Sequence, residues 1–164
     1  MSILVLGIGN LLLGDEAVGV RIIETLEQRY RLPEHVEVLD GGTSGMELLE
    51  VMANRDHLIV ADAVLAEHPP GSVVVLHDEE IPAFFTRKVS PHQLGLADVL
   101  MALRLTDEFP RRLTLVGVVP ASLEPGIGLT AIASQAIEPA LAQVLAALQS
   151  SGVVAEPREV SDVG

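Results

Sequence analysis

Short apolar runs alternate with amphipathic stretches along the 164-residue chain. Most of these runs are unbroken, and turn residues such as Gly, Pro and Asp bound them. Unbroken apolar runs of this length are typical of strands that are buried on both faces, as in parallel sheets. We therefore predict strands at Ile3–Leu6, Val36–Leu39, Leu58–Val60, Val73–Leu76 and Leu113–Val118.

Apolar residues at helical spacing fill the intervals between these strands. The pattern Ser44-x-x-Glu47 is typical of a capping box, and segment 90–93 (Ser-Pro-His-Gln) has favoured residues for a helix start. One further helix is predicted after Gly14 and one before Gly152. The predicted inner faces consist of Val18, Ile22, Ile23 and Leu26; of Met46, Leu49 and Met52; of Leu94, Ala97, Leu100 and Met101; and of Ile137, Leu141, Val144, Leu145 and Leu148.

The alternation of strands with helices predicts the fold. It favours a mostly parallel sheet covered by helices on both faces. We predict an α/β fold, a three-layer α/β/α sandwich with a twisted, mostly parallel five-stranded sheet, in a single domain over residues 1–164. The polar segment Asp78–Val89 is predicted to be a surface excursion. Pro139 is predicted to kink the last helix or to mark the start of its second half.

Composition narrows the possible partners. Lys and Arg number 10 against 23 Asp and Glu, which gives a net charge of −13. An acidic surface repels phosphate backbones and anionic lipids, so we expect no nucleic-acid and no membrane partner. The chain has no cysteine, which excludes disulfides, thiolate catalysis and iron–sulfur ligation. The first seven residues lack the basic region and apolar length of a signal peptide, so we expect a cytoplasmic location.

Polar residues follow the ends of the predicted strands, where ligands bind in open α/β sheets. Asp15 and Glu16 follow the first strand, Asp40 the second and Asp62 the third. His92 lies in the first turn of a predicted helix, where the helix dipole disfavours the imidazolium form, so this histidine should be free to coordinate a metal. Two carboxylates and an imidazole suit Ni, Zn, Mn or Fe, and the residues alone do not choose among these metals.

Each of these features has a purely structural alternative. The acidic residues could complement a helix dipole, Asp62 could cap a loop, and His92 could be a solvated histidine. The turn Gly7-x-Gly9 with Asp40 also has features of a nucleotide-binding, Rossmann-like module. Leu12 at the third glycine position and Glu16 at the helix start argue against that module, since a carboxylate there repels phosphate.

Five short motifs follow one another between residues 7 and 120. They occupy residues 7–19 (Gly-Ile-Gly-Asn-Leu-Leu-Leu-Gly-Asp-Glu-Ala-Val-Gly), 40–43 (Asp-Gly-Gly-Thr), 61–63 (Ala-Asp-Ala), 90–93 (Ser-Pro-His-Gln) and 117–120 (Gly-Val-Val-Pro). Together they resemble the signatures of the nickel–iron hydrogenase maturation endopeptidases. A set of five motifs in one order is far more specific than any one of them.

The resemblance implies an activity and a substrate. The enzyme would remove a short C-terminal extension from the nickel-loaded precursor of the [NiFe]-hydrogenase large subunit. By this resemblance Glu16, Asp62 and His92 bind the nickel that the substrate presents, and zinc or cadmium could stand in for it. No other cofactor-binding residues are implied.

The resemblance leaves the mechanism open between two types. In a metal-assisted reaction Glu16 and Asp62 are the candidate catalytic residues, and in an aspartic-type reaction Asp40 activates water as a general base. A non-proteolytic nickel-binding assembly chaperone, using the same ligands, is the alternative function. No feature of the sequence fixes an oligomeric state.

Overall fold

A computed structural model describes residues 1–42, 45–87 and 94–158 of the chain. Its helices are α1 to α5, and 3₁₀ turns at Gly14–Ala17 and Met46–Leu48 precede the first two. The strands are β1 (Ile3–Ile8), β2 (Tyr30–Arg31), β3 (Val36–Gly42), β4 (His57–Ala63), β5 (Val73–His77), β6 (Arg112–Val118) and β7 (Glu156–Pro157). The helices are α1 (Val18–Arg29), α2 (Leu49–Met52), α3 (Glu80–Arg87), α4 (Leu94–Leu105) and α5 (Ala131–Ser150).

The central sheet has five strands in the order β3-β1-β4-β6-β5. The pairs β1–β3, β1–β4 and β4–β6 are parallel, and β5 is antiparallel to β6. The short strands β2 and β7 form a separate antiparallel pair. The predicted sandwich and all five predicted sheet strands are thereby confirmed, and each strand is longer than its apolar run suggested.

Alternate residues of β4 pack into two separate cores, one on each face of the sheet. Ile59 and Ala61 join the core under α1 and α5, whereas Leu58 and Val60 join the core under α4. All seven residues of β4 are buried. A central strand covered on both faces has no solvent-facing side, which is why its middle residues, 58–61, form an unbroken apolar run.

Helix α1 lies unusually close to the sheet. A Cβ atom on Gly19 would lie 2.2 Å from the carbonyl oxygen of Ala61 in β4. A Cβ atom on Gly7 of β1 would lie 2.8 Å from the carbonyl oxygen of Gly19. Any larger residue at these positions would push the helix away, so the two glycines hold the start of α1 against the ends of β1 and β4.

Two predictions on the other face of the sheet were wrong. The segment Asp78–Val89 is not a plain surface excursion, because α3 forms within it and buries Ile81 and part of Phe84 in the core. The few apolar residues among the charged ones, interrupted by Pro82, were too weak a periodic signal to show the helix. In α4 the predicted inner residue Met101 is 57% exposed, and the buried side chains are those of Leu96, Val99, Leu100 and Leu103. This helix is apolar nearly all round, so spacing alone did not fix its buried face.

The second predicted helix is shorter and begins later than its capping pattern suggested. The 3₁₀ turn Met46–Leu48 leads into α2, and its Met46 side chain is 51% exposed whereas Leu48 is buried. Ser44, the predicted cap, lies outside the described residues. Segment 90–93, which carries the other predicted helix start, lies outside them as well.

Helix α5 is continuous over 20 residues and contains Pro139 within it. The helix begins at Ala131, after the N-cap Thr130, so Pro139 lies eight residues into it. Pro139 is exposed, so its ring does not disturb the packed face. Helix α5 is long and apolar enough to cross a bilayer by length and composition, but Ala133, Ala140 and Val144 are buried against the sheet.

A buried histidine connects α5 to the amino edge of the sheet. The His57 side chain is fully buried, with Nδ1 2.6 Å from Ser151 Oγ and Nε2 2.8 Å from Thr114 Oγ1. Burial, together with the nearby Arg112 charge, lowers the pKa of His57 to about 4. The imidazole is therefore neutral at physiological pH and links three elements of the fold by hydrogen bonds.

We expect His57 to make the protein sensitive to mild acid. Between pH 6.5 and 4 the unfolded chain binds a proton at His57 and the native state does not, so stability falls as pH falls through this window. From pH 7 to pH 5 the loss assigned to His57 is about 2 kcal/mol. Urea unfolding of wild type and His57→Gln at both pH values should show this difference in pH dependence. His35→Gln, at an exposed histidine, is the control and should retain the wild-type dependence.

A buried carboxylate pair at the carboxyl edge of the sheet

Asp62 occupies a core position near the carboxyl end of β4. It is 2% exposed and pairs in register with Gly117 of β6. The alternation of the strand places it on the same face as Val60 and Val64, which belong to the core under α4. A carboxyl group thus stands in a row of otherwise apolar side chains, where its charge is costly unless a partner compensates it.

The two oxygens of Asp62 have different surroundings. Oδ1 accepts a hydrogen bond from the backbone N–H of Ala63 at 2.8 Å. Oδ2 is buried and has no hydrogen-bond partner among the described residues. Leaving a buried polar atom unpaired costs about 1–3 kcal/mol. Native proteins rarely retain such an atom without a reason, and the usual ones are a proton, an ion or a ligand that binds there.

Glu16 is the charged neighbour of this oxygen. It lies in the 3₁₀ turn before α1 and is 6% exposed. Burial raises the pKa of Asp62 well above its usual value, and the negative charge of Glu16 raises it further against the opposing effect of the Ala63 hydrogen bond. Two buried carboxyl groups in this relation can share a proton or bind a divalent cation between them.

A glycine allows the turn that carries Glu16 to lie against the end of β1. A Cβ atom on Gly9 would lie only 2.0 Å from the carbonyl oxygen of Glu16, and the Gly9 φ of +153° suits a residue without a side chain. The Gly9 N–H donates to the carbonyl oxygen of Gly42 at the end of β3. The glycine turn of the sequence therefore serves close packing of backbone segments around Glu16.

Asp15, adjacent to Glu16, has a structural role that the sequence did not reveal. It is fully buried, and its Oδ1 accepts from the N–H of Thr130 at 2.7 Å. Its Oδ2 accepts from the Thr130 hydroxyl, Ala121 N–H and Ser122 N–H at 2.8, 2.8 and 3.2 Å. Burial raises the pKa of Asp15, but these hydrogen bonds outweigh that effect and lower it overall. Asp15 thus fastens the segment from Ala121 to Thr130 to the turn of Glu16.

Asp40 lies on the other face of the sheet. It pairs in register with Gly7, whose Cβ position faces α1, whereas Asp62 belongs to the face of α4. The Asp40 side chain is exposed, and its Oδ1 accepts from the N–H of Gly42 at 2.8 Å. Since β1 separates β3 from β4, Asp40 and Asp62 belong to strands roughly 10 Å apart. The structure therefore brings Glu16 and Asp62 together but not Asp40.

His92 lies outside the described residues, two positions before α4 begins. The connection after α4 lies at the amino edge of the sheet, because Asn54 N–H donates to the carbonyl oxygen of Glu108 just before β4. Helix α4 spans about 18 Å, so its first turn lies towards the carboxyl edge, on the face of Asp62. Within the described ranges no group of three or more His, Asp or Glu residues could hold a metal ion.

The chain is similar to known proteins over nearly its whole length. Residues 20–147 match the family described as hydrogenase maturation protease. A hydrogenase 2 maturation protease of Escherichia coli strain K12 is 69% identical over 160 residues, which cover 97% of this chain and 98% of that protein. The hydrogenase expression/formation protein HupM of Azotobacter chroococcum mcd 1 is 48% identical over 160 residues, which cover 96% of this chain and 77% of that protein.

Solved structures show the same fold. The hydrogenase maturating endopeptidase HybD from E. coli has a TM-score of 0.92 at 68% identity, covering 96% of this chain and 98% of that one. The [NiFe] hydrogenase maturation protease HybD from Thermococcus kodakarensis has a TM-score of 0.73 at 25% identity, covering 88% of this chain and 97% of that one. The similarity in sequence thus extends to the three-dimensional structure.

We expect Asp15→Asn to destabilise the protein. The asparagine amide would place N–H donors where backbone N–H groups and the Thr130 hydroxyl already donate, so hydrogen bonds to a charged acceptor are lost. The expected cost is about 1.5–3 kcal/mol at pH 7, measured by urea unfolding. Because the pKa of Asp15 is lowered, its contribution disappears as pH falls through that lowered value. Asp98→Asn, at an exposed aspartate of α4, is the control and should change stability little.

Asp62→Asn should have the opposite effect on the metal-free protein. Wild type must either protonate the buried Asp62 carboxyl or keep a negative charge beside Glu16, whereas the asparagine amide is neutral without a proton, so stability at pH 7 should rise by about 1–3 kcal/mol. Since the native pKa of Asp62 is raised, wild type regains this stability as pH falls towards the usual aspartate value, and the difference between the two proteins should shrink. Thermal unfolding at pH 7 and pH 5 tests this. A variant less stable than wild type at pH 7, with Asp40→Asn unchanged, would contradict it.

Proposed function

The chain belongs to the hydrogenase maturation protease family, and we propose that it removes a short C-terminal extension from the nickel-loaded precursor of the [NiFe]-hydrogenase large subunit. A hydrolase of this family acts on a protein substrate, and here the metal would arrive as part of that substrate. The single observation that supports a metal-recognising cut is the buried pair of Glu16 and Asp62, in which Asp62 Oδ2 has no hydrogen-bond partner within residues 1–42, 45–87 and 94–158.

Nickel recognition by this pair has a direct physical reason. Without a cation, burial and the charge of Glu16 favour a protonated Asp62 carboxyl. A divalent cation would compensate the negative charges of both carboxylates and would give Oδ2 a partner, which no described residue provides. Nickel would therefore displace the proton, and binding would tighten as pH rises. In this proposal a precursor without nickel cannot compensate the charges of Glu16 and Asp62, so cleavage depends on metal loading.

His92 is the proposed third ligand. The sequence predicts His92 at a helix start, where the helix dipole would favour a neutral ring with a nitrogen available for coordination. Helix α4, which follows it, begins towards the carboxyl edge on the face of Asp62. Two carboxylates and an imidazole leave positions open for the groups that the precursor itself supplies to nickel. Zinc or cadmium could replace nickel in binding experiments.

The chemistry of the cut can use the pair in two ways. In the metal-assisted form, nickel held by Glu16 and Asp62 polarises the scissile carbonyl or lowers the pKa of a water molecule. In the aspartic-type form, nickel only positions the substrate and a carboxylate such as Asp40 activates water. The place of Asp40 on the opposite face favours the first form, because Asp40 would need the substrate chain to pass over the end of β1.

The same proposal covers the cellular setting. A protease that acts on a newly loaded precursor is expected in the cytoplasm, and the surface charge of −13 favours neither nucleic acid nor anionic membrane as a partner. We propose that residues 1–164 act as one peptidase domain. Its partner is the large-subunit precursor.

We expect Asp62→Asn and His92→Ala to lose precursor cleavage roughly hundredfold or more, since each removes a metal ligand. Purified nickel-loaded precursor is incubated with each variant, and the released C-terminal peptide is quantified by mass spectrometry. Far-ultraviolet circular dichroism checks that both variants remain folded. The controls Asp98→Asn and His68→Ala change an exposed acid and an exposed histidine and should cleave at the wild-type rate.

Two results would contradict the proposal. Unchanged cleavage by both ligand variants would exclude nickel recognition by these residues. An intact precursor after incubation with wild type would favour a metal-binding assembly chaperone. Asp40→Asn tests the mechanism in the same assay, because a large loss of turnover with nickel binding retained would identify Asp40 as the general base.

A further inference from the structure

Exposed apolar side chains gather at the carboxyl edge of the sheet. Leu12, in the connection after β1, is 63% exposed, and Ile127, in the connection after β6, is 84% exposed. Exposed large apolar side chains that occur singly are ordinary, but a group beside a functional site indicates a contact surface. Other exposed apolar residues near this edge are Leu11 and Leu65 in connections, Met46 in a 3₁₀ turn and Ile132 in the first turn of α5.

Backbone hydrogen bonds join the segments of Leu12 and Ile127. The N–H of Gly126 donates to the carbonyl oxygen of Leu12 at 2.9 Å, and the N–H of Gly14 donates to the carbonyl oxygen of Gly126 at 3.1 Å. Leu13 and Gly126 form a parallel β-bridge. Leu12 and Ile127 are each one residue away from that bridge, so they form one small surface, which we call the apolar lip.

Hydrogen bonds hold the backbone of the apolar lip in a position where its side chains are exposed. Asp15 holds both of its segments through the Ser122 and Thr130 hydrogen bonds, so the backbone is fixed at two places. Residues 7–14 and 125–134 carry no charged side chain, in a chain whose net charge is −13. An uncharged, fixed and exposed apolar surface is suited to contact another apolar surface.

Leu12 of the lip lies just before the turn that carries Glu16 of the carboxylate pair. The backbone N–H of Glu16 donates to the carbonyl oxygen of Leu13 at 3.1 Å, so Leu12 lies next to the residue that supports Glu16. We propose that the apolar lip docks apolar side chains of the precursor polypeptide that flank the bond to be cut. This inference rests on the proposed function, because it assigns the lip to the substrate of that same site.

A short polypeptide segment fits the lip better than a second copy of the chain. A stable dimer needs about 800 Å² of surface from each partner, and two side chains supply only a small part of this area. A second copy would also carry the same charge of −13 and would be repelled. A substrate segment is already held near Glu16 by the site itself, so a few apolar contacts are enough to fix its position.

Leu12→Gln, Ile127→Gln and the double variant test the proposal, with Leu105→Gln as the matched control. Leu105 is an equally exposed apolar residue, at 81%, at the end of α4 near the amino edge of the sheet. Steady-state cleavage of nickel-loaded precursor is measured for each protein. We expect KM to rise about tenfold for each lip variant and further for the double variant, with kcat and the control unchanged.

The outcomes separate this inference from the function on which it rests. If wild type does not cleave the precursor, the proposed function fails. If wild type cleaves and the double variant has the same KM as Leu105→Gln, only the docking role is overturned. A fall in kcat at constant KM would also overturn it, since the residues would then act on the chemistry rather than on docking. Equal melting temperatures of all variants show that no effect comes from unfolding.

Discussion

The structure depends on one unfavourable interaction, the burial of Asp62 beside Glu16. A hydrophobic residue at position 62 would continue the row of Leu58 and Val60 and would pack without cost. Instead Asp62 buries a carboxyl group beside the acidic Glu16, and one of its oxygens has no hydrogen-bond partner in the part of the chain that the structure describes. A buried group of this kind is retained when the surrounding packing offsets its free-energy cost and when the group is needed to bind a ligand. The tight glycine contacts at Gly9 and Gly19 are part of that packing.

The fold positions its chemistry by combining parallel strands with short connections. Because β1, β3, β4 and β6 run in one direction, the segments after them meet at one edge, where ligand sites form in such sheets. The opposite edge carries the neutral His57 network, which is structural. At the carboxyl edge, Asp62 Oδ2 has no hydrogen-bond partner among the described residues, whereas both ring nitrogens of His57 at the amino edge are hydrogen-bonded.

The sequence predicted the sheet well because unbroken apolar runs report burial on both faces, which is the main constraint on a central strand. It placed Glu16 and Asp62 at the same edge for the same reason. It could not separate Asp15 from Glu16, since both are acids after one glycine turn and only tertiary hydrogen bonds distinguish them. It also placed Met101 on the wrong side of α4, because a helix apolar all round has no periodic signal.

The Thr130 hydroxyl makes two hydrogen bonds at the same time. Its hydroxyl donates to Asp15 and accepts from the N–H of Ala133, so the same oxygen caps α5 and fixes the turn of Glu16. The start of α5, the longest helix among the described residues, and the turn of the carboxylate pair are therefore held by the same hydroxyl group. If the hydrogen bonds at the start of α5 were lost, the turn of Glu16 would lose one of its contacts. If that turn moved, α5 would lose its N-cap. Adaptation to heat or to a new precursor must consequently change both together.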